Sequence, residues 1–273
     1  MELRQDALDI LKQTSRTFYI PISGLPDGLL EAVASAYLCM RAIDQIEDHL
    51  ELDNSVKAKL LRTISLTLQA AVDRTTLDNS SFVGLNAHNS LLEEVTLRIG
   101  EWAVLAPPSI APRIWDAIAA MADRMAHWSE TNWKIHTEAD LDRYTFGVAG
   151  AVGLLLSDLW AWYDGTQTNR TQAIGFGRGL QAVNILRNHM EDRSRGVDFF
   201  PDGWDKDQMY AYARRNLKLA DAYTQSLPNG PALYFCKIPL TLAYATIDAL
   251  AHGEEKLSRT AVMALLAQVS ATK

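Results

Sequence analysis

The sequence predicts an all-α fold. Apolar residues recur at a 3.6-residue period along nearly every segment, and no stretch shows the alternation of a half-buried strand. Turn-forming residues gather chiefly between the periodic stretches. With 273 residues, 48% of them apolar, the chain is long enough to close one large helical domain over residues 1–273. No internal repeat, low-complexity linker or composition shift marks a boundary inside it.

Helices are expected, in order, at about 3–13, 27–50, 55–74, 89–105, 109–134, 138–163, 169–191, 205–226, 231–252 and 256–270. The opening MELRQDALDILKQ is amphipathic and charged, which is not the pattern of a secretory signal. Ser23-Gly24-Leu25-Pro26 breaks the chain before 27–50, where EAVASAYLCMRAI is apolar nearly all round, as a buried helix is. Leu77–Asn89 (LDNSSFVGLNAHN) is expected to be a mobile surface loop. Pro107-Pro108, Asp164-Gly165, Pro201-Asp202-Gly203 and Pro228-Asn229-Gly230 punctuate the second half. Between Phe146 and Leu159 lie Gly147, Ala149, Gly150, Ala151 and Gly153. A glycine inside a helix costs up to about 1 kcal/mol relative to alanine, so the run needs a reason. It is either close packing of helix on helix or room for a long apolar ligand.

A net charge of −7 and a pI near 5.4 argue against nucleic acid as a partner. Cys39 and Cys236 stand in apolar helical contexts without disulfide or metal-site spacing. The most apolar run, Val148 to Leu156, is too short to span a bilayer and meets Asp158. The expectation is a cytoplasmic protein without a transmembrane segment.

Chemistry is concentrated in two stripes. Residues three and four apart share a helix face, with about 6 Å between successive members. Asp44, Glu47 and Asp48 therefore converge on one patch, and Asn184, Asn188 and Asp192, with Glu191 beside the last, form a second. An acidic cluster is often only a solvated helix face. These two stripes lie on helices with strongly apolar surroundings, where carboxylates need cations or hydrogen bonds to offset lost hydration. Hard oxygen ligands set on two facing helices suit Mg²⁺ clamping a diphosphate, because the ion keeps several waters and takes few carboxylates per site. Arg41 lies one turn before Asp44, Arg187 precedes Asn188, and Arg16 sits ahead of the first long helix. Each arginine alone reads as a surface residue; together they suit diphosphate oxygens.

Five segments carry a wider resemblance: SRTFYIPI, YLCMRAIDQIED, YTFGVAGAVG, LQAVNILRNHMEDRSRGVDFFP and FCKIPLTLAYAT, in that order. They resemble the squalene/phytoene synthase family over about residues 12–262. RAIDQIED and FCKIP are more similar to squalene synthases, YTFGVAGAVG to bacterial dehydrosqualene and phytoene synthases. The resemblance implies a class I terpenoid-synthase helical bundle around a central cavity. It implies Mg²⁺ ligation by Asp44, Asp48, Asn184, Asn188 and Asp192, with Asp44, Asp48 and Asp192 counted as catalytic. It places Ser15, Arg16, Tyr37, Arg41, Gln181 and Arg187 at the diphosphate. Phe18, Val148, Val152, Cys236 and Pro239 would line the prenyl tunnels. Tyr144 falls where the family steers or deprotonates carbocations; without the motif it would be an ordinary buried tyrosine.

Two positions depart from the family pattern. Its second motif normally begins with Asp where this chain has Asn188, and the resulting Asn-x₃-Asn-x₃-Asp spacing resembles the second metal motif of terpene cyclases. An arginine usually stands where this chain has Val197, although Arg193 and Arg195 are close. The resemblance implies condensation of two farnesyl diphosphates to presqualene diphosphate and a C30 product, squalene or dehydrosqualene, with NADPH as the candidate reductant. A single-substrate terpene cyclase, a farnesyl diphosphate phosphatase and a weakly active prenyl-diphosphate-binding homologue are the alternatives. Chain length, monomer or homodimer, and peripheral membrane contact for product release stay open.

Overall fold

The computed structural model describes residues 5–73, 75, 77–254 and 256–271, without the side chains of Arg16, Ser270 and Ala271. Residues 3 and 4 of the first expected helix lie outside the described residues. Among the described residues every regular element is helical. Packing divides the chain into two compact units, Met1–Asn132 and Trp133–Lys273.

The first unit contains α1 (Gln5–Thr14), α2 (Arg16–Ser23), α3 (Leu29–Glu47) and α4 (Asn54–Ala70). The short α5 (Val83–Asn86), α6 (Glu94–Leu97) and α7 (Ile99–Ala103) lead to α8 (Ala111–Glu130). α3 is its axis, packed against α6, α7 and α8. Gly28 starts it with φ +82°, a conformation glycine adopts without strain. Its N–H donates to the Glu31 carboxylate, the return half of a capping box. Leu38, Ile43 and Ile46 on α3, Leu61 and Ile64 on α4, and Ile114 and Ile118 on α8 are completely buried. Each such side chain contributes roughly 1.5–3 kcal/mol relative to exposure.

Three expectations change here. SRTFYIPI, given no helix by its pattern, forms α2, started by Ser15, whose side chain accepts from the Phe18 N–H at 2.9 Å. The expected helix 89–105 is two short pieces that meet at Arg98. A Cβ on Gly100 would lie 2.3 Å from the Asp78 carbonyl carbon, so the chain bends to seat that glycine on the 78–79 backbone. The guanidinium of Arg98 lies 4.4 Å over the Trp102 ring and pairs with Glu94, Glu101 and Asp6, locking the bend. Leu77–Asn89 is pinned, not a free loop: Leu77, Phe82 and Leu85 are buried, and Asp78 caps a 3₁₀ turn at Asn79–Ser81.

The second unit contains α9 (Glu138–Thr145), a π-helical turn (Phe146–Gly150), α10 (Ala151–Asp164) and α11 (Arg170–Ser194). α12 (Lys206–Ser226), α13 (Pro231–Ala251) and α14 (Arg259–Ala271) follow. α11 is its axis, against α10, α12, α13 and the π turn. The expected helix 138–163 is thus interrupted by a wider turn, in which the Ala151 N–H reaches the Phe146 carbonyl. The glycines there serve close packing. A Cβ on Gly153 would lie 2.0 Å from the Ala173 oxygen, and one on Gly177 would lie 2.0 Å from the Ala149 oxygen.

Two helices, Glu138–Asp164 and Pro231–Ala251, are long and apolar enough to cross a membrane by length and composition. Half of each apolar window is buried inside the protein, as in core helices that pass the same test.

Candidate active site

Each unit carries one of the two stripes expected to hold metal. In the first, the last turns of α3 bring Asp44, Glu47 and Asp48 together, with one ligand oxygen from each lying within 4.8 Å of the others. One hard cation with its waters bridges such a set. Asp44 is half-buried, Asp48 exposed and Glu47 buried. The spacing placed Glu47 on the patch without assigning it as a ligand. Below it, the buried Lys57 donates to the Glu47 carbonyl at 2.7 Å. Lys57 was missed, though a signal exists: it falls on the apolar stripe of α4 with Leu61, Ile64 and Leu68.

Three of the groups expected at a diphosphate, Arg41, Tyr37 and Ser15, gather beside Asp44. Arg41 donates to Asp44, and its Nε is buried without a hydrogen-bond partner among the described residues. Tyr37 is hydrogen-bonded to Ser15, and its ring lies 5.9 Å from Phe18. Burial pushes the Tyr37 phenol above its ordinary range. Ser15 and the Arg41 charge oppose that rise, and Asp44 adds to it. Tyr37 is therefore a neutral donor at physiological pH. Ser15, Phe18, Tyr37, Arg41, Asp44 and Asp48 thus form one neighbourhood. Arg16 opens α2, and its side chain lies outside the described residues.

In the second unit, Gln181, Asn184, Asn188 and Asp192 lie on the continuous α11, with the last three four residues apart along one face. Asn184 and Asn188 are half-buried and Asp192 is buried. Arg187 is exposed, and its Nε donates to Asn188 Oδ1 at 3.1 Å. Arg195 Nη2 donates to Asp192 Oδ1 at 2.5 Å. Two cations thus stand beside the second stripe, Arg187 at Asn188 and Arg195 at Asp192, near the apolar Val197. Tyr144 closes α9, buried, with its ring stacked on Phe199 at 4.5 Å and 21°. Phe199 was missed as a site residue because its meeting with Tyr144 is purely tertiary. Val148 on the π turn and Val152 on α10 are half-buried, while Cys236 and Pro239 on α13 are buried. Burial alone raises the Cys236 thiol far above its ordinary range, so it is an inert apolar group.

An all-α bundle that carries a carboxylate patch beside arginine and tyrosine donors has the groups to hold a cation and an anion side by side. Residues 11–208 match the squalene/phytoene synthase family model. The chain belongs to the squalene/phytoene synthase family. Squalene synthase of Schizosaccharomyces pombe is 30% identical over an alignment covering 88% of this chain and 58% of that protein. The Rattus norvegicus squalene synthase is 28% identical, covering 90% and 63%. The chain thus spans about three-fifths of the length of these curated relatives. The structure of TcSQS with a bound ligand superposes with a TM-score of 0.77 at 24% identity, covering 97% of this chain and 85% of that one. A dehydrosqualene synthase complex gives 0.60 at 19% identity, covering 98% and 95%. The fold is the terpenoid-synthase helical fold of these structures.

Proposed function

We propose that this chain is a Mg²⁺-dependent prenyltransferase that joins two farnesyl diphosphates head to head, through presqualene diphosphate, to a C30 hydrocarbon. The observation that carries the reading is the Asp44–Glu47–Asp48 oxygen cluster beside Arg41, whose buried Nε has no partner among the described residues. The donor set fits the metal: all-oxygen, carboxylate-rich and partly open to water. Bound there, Mg²⁺ would neutralise the diphosphate leaving group.

Arg41 and the neutral phenol of Tyr37 donate to diphosphate oxygens as their charge grows, which lowers the barrier to ionisation. The allylic cation formed is attacked by the double bond of the second farnesyl chain, and loss of a proton closes the cyclopropane. Tyr144 is the group assigned to hold or relay that proton, and its π-face also favours neighbouring positive charge. Apolar side chains such as Val148 and Val152 exclude water from the cations. Presqualene diphosphate then ionises in turn. Hydride from NADPH, released as NADP⁺, would give squalene, and proton loss would give dehydrosqualene.

Asn184, Asn188 and Asp192, spaced four apart on one helix, favour a second reading, a single-substrate terpene cyclase. Incubation with farnesyl diphosphate and Mg²⁺, with and without NADPH, separates the two. C30 hydrocarbon or presqualene diphosphate supports condensation, and C15 products alone reject it. Squalene appearing only with NADPH assigns the reductant.

A further inference from the structure

We propose that Phe199 is a positioning residue that fixes the ring of Tyr144 and so sets the product ratio; this rests on the role given above to Tyr144. The argument begins at the end of α11. Gly196, at φ +81°, reverses the chain. The Gly196 N–H bonds the Arg193 carbonyl at 3.0 Å, and the Val197 N–H bonds the Asp192 carbonyl at 3.1 Å. These two bonds are a Schellman motif, which only a residue tolerant of positive φ closes without strain. Residues 197–199 follow outside any helix, and the chain bends at Phe200.

The two phenylalanines that follow meet different partners. Phe200 stacks on His189 of α11, with centroids 4.0 Å apart and planes at 10°. Phe199 stacks on Tyr144 at 4.5 Å and 21°. Both phenylalanines are 7% exposed. The Asp198 carboxylate accepts the Phe200 N–H at 3.0 Å, closing a turn, and lies 3.4 Å from His189 Nε2, which ties that turn to α11. Phe199–Phe200 is thus a two-sided aromatic clamp. One side grips the helix that carries Asn188 and Asp192, and the other grips the tyrosine. A phenol that relays a proton between competing cation fates must hold one orientation. In this fold the Phe199 face supplies that restraint.

The test uses the full chain labelled with 3-fluorotyrosine, with the Tyr144 resonance assigned by its loss in Tyr144→Phe. Phe199→Leu should shift that resonance toward its unfolded position as the neighbouring ring current disappears. The product ratio from farnesyl diphosphate should change by about two- to tenfold, the factor by which such a ring pair biases an equilibrium. Phe199→Trp, which restores a ring, should keep both readouts near wild type, and Phe199→Met repeats the test if leucine fails to fold. A resonance that stays in place, or one that moves while the product ratio is unchanged, overturns the proposal. Failure of the functional reading looks different: the wild type itself then gives no turnover, and the positioning claim falls with it.

Discussion

Replacing Gly153 by alanine tests whether the glycine-rich helix exists for packing. Helix propensity alone would favour the change by up to about 1 kcal/mol. Against it, the new Cβ would sit 2.0 Å from the Ala173 carbonyl oxygen and 2.8 Å from its carbon. Both are backbone atoms within α11, which is held by its own hydrogen-bond ladder and by α12 on its other side. Relief therefore requires α10 and α11 to separate by more than an ångström. Overpacking of this kind typically costs 1–3 kcal/mol; less the propensity gain, Gly153→Ala should lose about 2 kcal/mol. At roughly 2–4 °C per kcal/mol for a chain of this size, the melting temperature should fall by about 4–8 °C. Far-UV circular dichroism melts provide the assay. Gly177→Ala, facing the Ala149 oxygen at the same 2.0 Å, should behave alike. Gly84→Ala, whose nearest neighbour is a Thr63 methyl at 3.5 Å, should stay within about 0.5 kcal/mol of wild type. An unchanged or raised melting temperature in Gly153→Ala would refute the reasoning and return that glycine to the ligand.

Further expectations concern the second unit. Burial pushes the Tyr223 phenol from 10.0 up to about 12. The native state keeps its proton where the unfolded chain has released it, so this contribution is intact below pH 10 and is lost as pH rises toward 12. The loss is about 3 kcal/mol, visible as a steep fall in alkaline melting temperature that Tyr223→Phe makes shallower. Tyr212→Phe removes hydrogen bonds to Thr145 at 2.9 Å and Asp142 at 2.8 Å; denaturant melts should show a loss of about 1–3 kcal/mol. Asn188→Asp should keep or raise turnover and tighten Mg²⁺ in a metal titration, whereas Asn188→Leu should abolish turnover; a harmless leucine removes Asn188 from the ligands. Tyr144→Phe should leave farnesyl diphosphate affinity intact while turnover falls or the product mixture changes. Collapsed affinity with unchanged products would make Tyr144 only a wall.

The long helices were legible because their apolar stripes repeat regardless of partner, as α3, α4, α8 and α11 show. α2 was hidden by its eight-residue length and by Pro21, although Ser15 already offered the capping side chain. The split at Arg98 depends on what Gly100 touches, which no local pattern encodes. The glycines of 147–153 posed a similar limit: sequence shows a missing side chain but not whether backbone or ligand fills the space. Asp44 and Asp48 were legible from spacing alone, because helix geometry fixes their convergence. Lys57 appears only as a polar residue on an apolar stripe. Phe199 meets Tyr144, and Phe200 meets His189, only after Gly196 has turned the chain, so those contacts had no local signature.

The most direct test of the central claim is the rate of C30 product formation from farnesyl diphosphate across a Mg²⁺ titration, with wild type beside Asp44→Asn and Asp48→Asn. The account predicts no C30 product in EDTA, a saturable rise with Mg²⁺ in the wild type, and rates lower by about 10²-fold or more in either variant with helical content unchanged. C30 formation that persists without metal, wild-type rates in both variants, or products confined to farnesol and C15 hydrocarbons would contradict it.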